Sequence, residues 1–177
     1  MIVPDTKNWT WVLDRPCPEC AFEASTRTGP MVPGLVRANA ADWKRFGAAG
    51  AIHPGRPEPS TWSSLEYACH VRDVFRRFDG RIELMLTHDH PMFPNWDQDT
   101  SAVEERYEAQ DPTRVVADLS AGAEQIALRL EPLTASDWAR PGRRDNGATF
   151  TVDTIARYMT HDVVHHIWDI EITATRP

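Results

Sequence analysis

The sequence predicts an all-α fold: a four-helix bundle with long connections and an irregular N-terminal leader, in one domain over residues 1–177. Three observations lead there. Four segments carry apolar residues at helical spacing. Two of them open on helix-start signals, Ser63 with Glu66 and Asp111 with Pro112. No strand pattern of comparable quality occurs, apart from a brief extended stretch near Ala148 to Phe150.

Residues 1–32 are rich in Pro, Trp and Cys, show no sustained period and form the leader; the bundle runs from 33 to 172. The first helix is expected from Pro33 to Gly47, with Val36, Trp43 and Phe46 available for burial, and the Gly- and Pro-rich stretch 47–59 ends it. The second begins between Ser60 and Ser63 and continues to Thr87, with Leu65, Ala68, Cys69, Phe75, Phe78, Ile82 and Met85 on one stripe. Residues 88–111 read as irregular, except for a short helix over Ser101 to Gln110. The third helix, capped by Asp111, runs to Leu130 and buries Val115, Leu119, Ala123 and Ile126. A second connection, Pro132 to Ala148, contains Pro141-Gly142 and Asn146-Gly147, and the last helix spans Thr151 to Ile172. The long middle connection would let the second and third helices lie parallel.

Composition narrows the function classes. At 177 residues, 41% hydrophobic and 25% charged, the chain can bury a proper core. A formal charge of −7 opposes a phosphate-binding face, so nucleic acid is not an expected ligand. No apolar run approaches the roughly 18 residues of a membrane span. Met1 to Thr10 lacks the basic start and apolar middle of a signal peptide, and the three cysteines suit a reducing compartment, so a cytoplasmic location is expected.

Histidine spacing carries the chemistry. His161 and His165 stand one helical turn apart and project from one side of the last helix, where two imidazoles can grip a single cation. They share that face with Thr154, Tyr158 and Trp168, whereas His166 falls on the aliphatic stripe and reads as a packed imidazole. His70, on the border of the apolar stripe of the second helix, is the candidate third ligand. Three protein donors leave a position open for water or substrate, and neutral imidazoles suit zinc or nickel. Asp73, Tyr158, Asp162 and Asp169 are candidates for holding those ligands in place.

Cys17-Pro18-Glu19-Cys20 is open to three readings: half of a secondary metal site, a redox pair, or a structural turn. No second Cys-x-x-Cys completes a four-sulfur site, and the βαβ setting of a thioredoxin-like motif is missing. Cys69 reads as a buried thiol. Arg37, Arg72, Arg76 and Arg157 could face substrate carboxylates, or be surface charges. The acidic cluster of Asp97, Asp99, Glu104 and Glu105 lacks the glycine turn of a calcium loop.

The stretch Trp62-Ser63-Ser64-Leu65-Glu66-Tyr67-Ala68-Cys69-His70-Val71-Arg72-Asp73, with His161-Asp162-Val163-Val164-His165-His166, resembles the DinB-like, or YfiT-like, family of four-helix-bundle metalloenzymes. Phe93-Pro94-Asn95-Trp96 and Arg140-Pro141-Gly142 are similar to a subgroup with a Cys-Pro-x-Cys leader. The resemblance covers the chain from about Val32 onward and implies a divalent ion on His70, His161 and His165. It also implies chemistry on a low-molecular-weight thiol such as mycothiol or bacillithiol, and a homodimer. Two functions follow as expectations. One is a metal-dependent, thiol-linked S-transferase or isomerase acting on a small electrophile. The other is a non-catalytic bundle that binds a small molecule or partner and keeps a vestigial metal.

Overall fold

Ser63 accepts a hydrogen bond from the Glu66 amide while the Glu66 carboxylate accepts one from the Ser63 amide, and this reciprocal cap starts helix α2 (Ser64–Thr87). The computed structural model describes residues 9–174, and the side chains of 9–172. The first eight leader residues, and most of the segment read for a signal sequence, lie outside the described residues.

Four long helices build the bundle: α1 (Val32–Ala48), α2, α4 (Pro112–Leu130) and α6 (Val152–Ala174). Pro33 lies in the first turn of α1, where a missing N–H costs nothing; Asp111 caps α4 by accepting from the Arg114 amide, with Pro112 as its first residue. Both α1 and α2 pack on α4 and on α6, so the helices form a ring in the order α1, α4, α2, α6. Trp43, Phe75, Ile82, Leu119, Ile126, Ile155 and Met159 fill its centre and are fully buried. Among the described residues no helix is long and apolar enough to cross a membrane.

The connections differ from expectation in two places. The short helix of the middle connection, α3, spans Gln98–Glu104 rather than beginning at Ser101. Asp97 supplies the cap through the Thr100 amide, and the Ser101 hydroxyl is already engaged with Trp96 Nε1 and the Asp97 carbonyl. The second connection holds a one-turn helix, α5 (Ala135–Trp138), and a hairpin of β2 (Pro141–Arg144) and β3 (Thr149–Thr151). Strand β1 (Met92–Phe93) pairs in parallel with β2 to complete a small sheet. Strands of two to four residues are too short to show alternation, so only the turn at Gly147, with φ 95°, and the extended stretch near Ala148 to Phe150, which overlaps β3, were visible in the sequence.

The leader lies against α6 and is held there at several points. Gly29 N donates to Asp153 Oδ1 at 2.7 Å, Arg157 Nη1 donates to the Ala24 carbonyl at 3.0 Å, and Val12, Cys17, Phe22 and Ala24 are buried.

Candidate metal centre

Consecutive residues of α6 face different neighbours, because each step turns the helix by about 100°. His161 and His165 form one pair at one-turn spacing, and Asp162 and His166 form the next pair round. The first pair meets the leader and the second meets α2.

On the α2 side, His70 is fully buried, and its Nε2 lies 3.0 Å from Asp162 Oδ1. His166 Nε2 approaches the same oxygen at 3.3 Å, while its Nδ1 is 2.8 Å from Asp169 Oδ2. One donor atom from each of His70, Asp162 and His166 falls within 4.8 Å of the others. The Trp96 ring stacks on His70 with centroids 5.1 Å apart, and Tyr67 lies 5.0 Å from His166.

Charges in this cluster are set against one another. Burial keeps His70 neutral, lowering its pKa despite Asp162. Burial opposes charge on Asp162 too, but the two imidazoles outweigh it and hold the carboxyl far below its usual range. For His166 burial is again overcome, here by Asp162 and Asp169, and its pKa rises to about 9.

The donor set fits a divalent ion. Donors sharing one ion at bonds of about 2.1 Å stand roughly 3.0–3.4 Å apart, from octahedral to tetrahedral angles. The contacts at Asp162 Oδ1 are 3.0 and 3.3 Å. Two imidazoles and one carboxylate on one side of an ion form a facial set with open positions. Asp169 on His166 Nδ1 leaves Nε2 free to ligate, the usual service of an outer carboxylate.

On the leader side, donor atoms of Cys17, Cys20, His161 and His165 likewise lie within 4.8 Å of one another. Cys17 Sγ is 3.8 Å from His165 Nδ1, and His165 Nε2 faces Glu19 Oε2 at 3.4 Å. His161 Nε2 is buried without a hydrogen-bond partner among the described residues, and burial pushes this imidazole down to about 4, so it is neutral near pH 7. Trp9 covers both rings, at 5.7 and 5.4 Å.

Between these clusters and the surface lies a cavity of about 310 Å³. Trp9 and Glu19 of the leader, Trp62 and Tyr67 at the start of α2, Gln98 and Asp99 of α3, and six residues of α6 from Tyr158 to Asp169 contribute to its wall. Glu19, Asp99, Asp162 and Asp169 line it, and among the described residues no Lys or Arg does.

Residues 14–170 match the DinB superfamily. The chain belongs to the DinB superfamily. No curated protein matches it in sequence. The solved structure of YfiT from Bacillus subtilis, described as a probable metal-dependent hydrolase with an unusual four-helix bundle topology, shares the fold with a TM-score of 0.70. At 17% identity the likeness spans 95% of this chain and 97% of that one.

Within this DinB bundle the trio read from the sequence is divided. His161 and His165 come together with Cys17 and Cys20, and His70 joins Asp162 and His166 instead. His166, read as a packed imidazole, lines the cavity and carries two carboxylate contacts. Asp162-x-x-x-His166 has the same one-turn spacing as His161-x-x-x-His165, and this was the signal overlooked. Asp73 turns away from the histidines to Arg72, at 2.8 Å, and to the Tyr107 hydroxyl, at 2.5 Å. Tyr158 forms cavity wall against Phe78 and Phe150. Cys69 is buried. Arg37, Arg72, Arg76 and Arg157 are each paired with carboxylates of the chain, Glu124, Asp73, Asp118 and Asp153 respectively, and none lines the cavity.

Proposed function

We propose that this DinB protein is a divalent-metal-dependent enzyme acting on a small neutral or cationic molecule in the 310 Å³ cavity, with His70, Asp162 and His166 holding the ion. The observation that carries the proposal is the meeting of two imidazole nitrogens on one carboxylate oxygen, at 3.0 and 3.3 Å, beside that cavity. Zinc or nickel suits the donors. A bound ion would polarise a substrate oxygen and make a coordinated water acidic enough to ionise near neutral pH.

The surrounding residues have separable tasks. Asp169 fixes the orientation of His166 through Nδ1. Trp62 and Trp96 pack on His70 and exclude water behind it. Trp9, Trp62, Tyr67 and Tyr158 offer aromatic faces that favour an apolar or cationic group.

Hydrolysis is the reaction favoured, because a water on the ion is a sufficient nucleophile and the structurally similar YfiT is described as a probable metal-dependent hydrolase. Thiol-linked transfer or isomerisation, implied by the family resemblance, is the second reading.

The test is turnover of a panel of neutral and cationic esters, amides and thiol-linked substrates by zinc- or nickel-loaded protein. Asp162→Asn and His166→Ala should each lose more activity than the roughly 10- to 100-fold typical for removing an outer carboxylate. Turnover that survives both substitutions and chelation contradicts the proposal. Ligand binding without turnover would favour the non-catalytic bundle.

A further inference from the structure

Cys17 and Cys20 take no part in the chemistry just described, yet the leader delivers both to the pair on α6 that His70 does not join. Ala21 N donates to the Cys17 carbonyl at 3.0 Å, and Cys17 N donates to the Phe22 carbonyl at 2.9 Å. The turn is completed by Ala21 at φ 57°, a left-handed conformation strained for a residue with a Cβ. Both cysteines are free thiols.

We propose that Cys17, Cys20, His161 and His165 form a second, closed site for a zinc-type ion, which fastens the leader to α6 and fixes one wall of the cavity. The four donors are two sulfurs and two imidazole nitrogens, the set zinc takes in tetrahedral structural sites. Around such an ion, with bonds of about 2.3 Å to sulfur and about 2.0–2.1 Å to nitrogen, a sulfur and a nitrogen stand about 3.6 Å apart. Cys17 Sγ and His165 Nδ1 are 3.8 Å apart.

An independent observation points the same way. His161 is 3% exposed, and its Nε2 has no hydrogen-bond partner among the described residues. A lone pair left dry in that position is costly unless it meets a hydrogen-bond donor or a Lewis acid, and a metal cation is a Lewis acid. Glu19 Oε2, 3.4 Å from His165 Nε2, is the outer carboxylate that leaves Nδ1 to ligate.

Occupation would be chemically balanced. Each thiol gives its proton to solvent as the ion enters, and two thiolates neutralise the dication. Four protein donors leave no position for water, so the site is structural, unlike the open set at His70, Asp162 and His166. Trp9 and Glu19 belong both to this corner and to the cavity wall, so losing the ion would loosen the wall.

The test uses the reduced full chain with cobalt(II) as the spectroscopic probe. Wild type should show a thiolate-to-cobalt charge-transfer band and bind two ions per chain. The double variant Cys17→Ser/Cys20→Ser should lose the band and one ion, while His70→Ala keeps the band. X-ray absorption of the zinc-loaded wild type needs no variant and should show sulfur at about 2.3 Å. Hydrogen exchange across residues 9–31 should slow at least about tenfold on zinc loading. A cobalt spectrum without the thiolate band, or a zinc shell of nitrogen and oxygen alone, overturns the inference. Either result leaves the proposed enzyme standing if turnover persists. Conversely, a sulfur-containing shell without any turnover supports this site and defeats the proposed activity.

Discussion

His70 Nε2 lies 3.0 Å from Asp162 Oδ1, a contact between residues 92 positions apart that joins α2 to α6 beside the cavity. His70 itself is fully buried, so this contact decides where its ring can act. With His166 on the same oxygen, the carboxylate at position 162 becomes the centre of the cluster rather than an accessory to it.

Removing the outer carboxylate gives a graded test of that cluster. Asp169→Asn keeps the size of the side chain but weakens the 2.8 Å contact to His166 Nδ1. The affinity for the ion at His70, Asp162 and His166 should fall about 10- to 100-fold, measured by competition with a calibrated chelator. An unchanged affinity would mean that Asp169 does not orient a ligand.

Acid stability depends on the start of α2. Burial works against the charge of Glu66, but Arg56 and the Ser63 amide outweigh it and hold the carboxyl below its ordinary value of 4.5. A depressed carboxyl contributes stability that is present above the ordinary value and is lost as pH falls through the folded one. The resistance of the wild type to denaturant should therefore fall as pH drops below about 4.5, and Glu66→Gln should flatten that slope. Ser63→Ala should cost about 1 kcal/mol at neutral pH through the lost cap.

Close approach of the leader predicts a packing defect. A Cβ at Gly29 would stand 2.4 Å from Cε3 of the Trp138 ring, with Trp138 only 8% exposed. Gly29→Ala should destabilise the chain by about 1–3 kcal/mol in denaturant unfolding. Near-neutral behaviour would show that Trp138 can move aside freely.

Particular residues show why the sequence revealed some features and hid others. Asp111 with Pro112 located one helix start to the residue, and Ser63 with Glu66 marked the cap at the edge of the expected Ser60–Ser63 range, because capping is a local interaction between neighbours in sequence. The ends of α3 and, beyond the extended stretch near Ala148 to Phe150, the three-stranded sheet were not legible, since Asp97 competes with Ser101 for one cap and each strand is too short for periodicity. At the site, one-turn spacing marked α6 as a metal-binding candidate but offered two overlapping pairs, His161 with His165 and Asp162 with His166. Which pair faces α2 depends on how α6 is rotated in the bundle, and that rotation comes from long-range packing of residues such as Ile155, Met159 and Val163. The convergence of Cys17 and Cys20 on α6 was hidden for the same reason, with 148 residues separating Cys17 from His165.

The most direct measurement is anomalous diffraction from a crystal of the protein loaded with zinc or nickel. An anomalous peak bonded to His70 Nε2, Asp162 and His166 Nε2, at about 2.0–2.2 Å, is the predicted result. A single ion shared by His70, His161 and His165, or no peak beside Asp162 in a metal-saturated crystal, would contradict it.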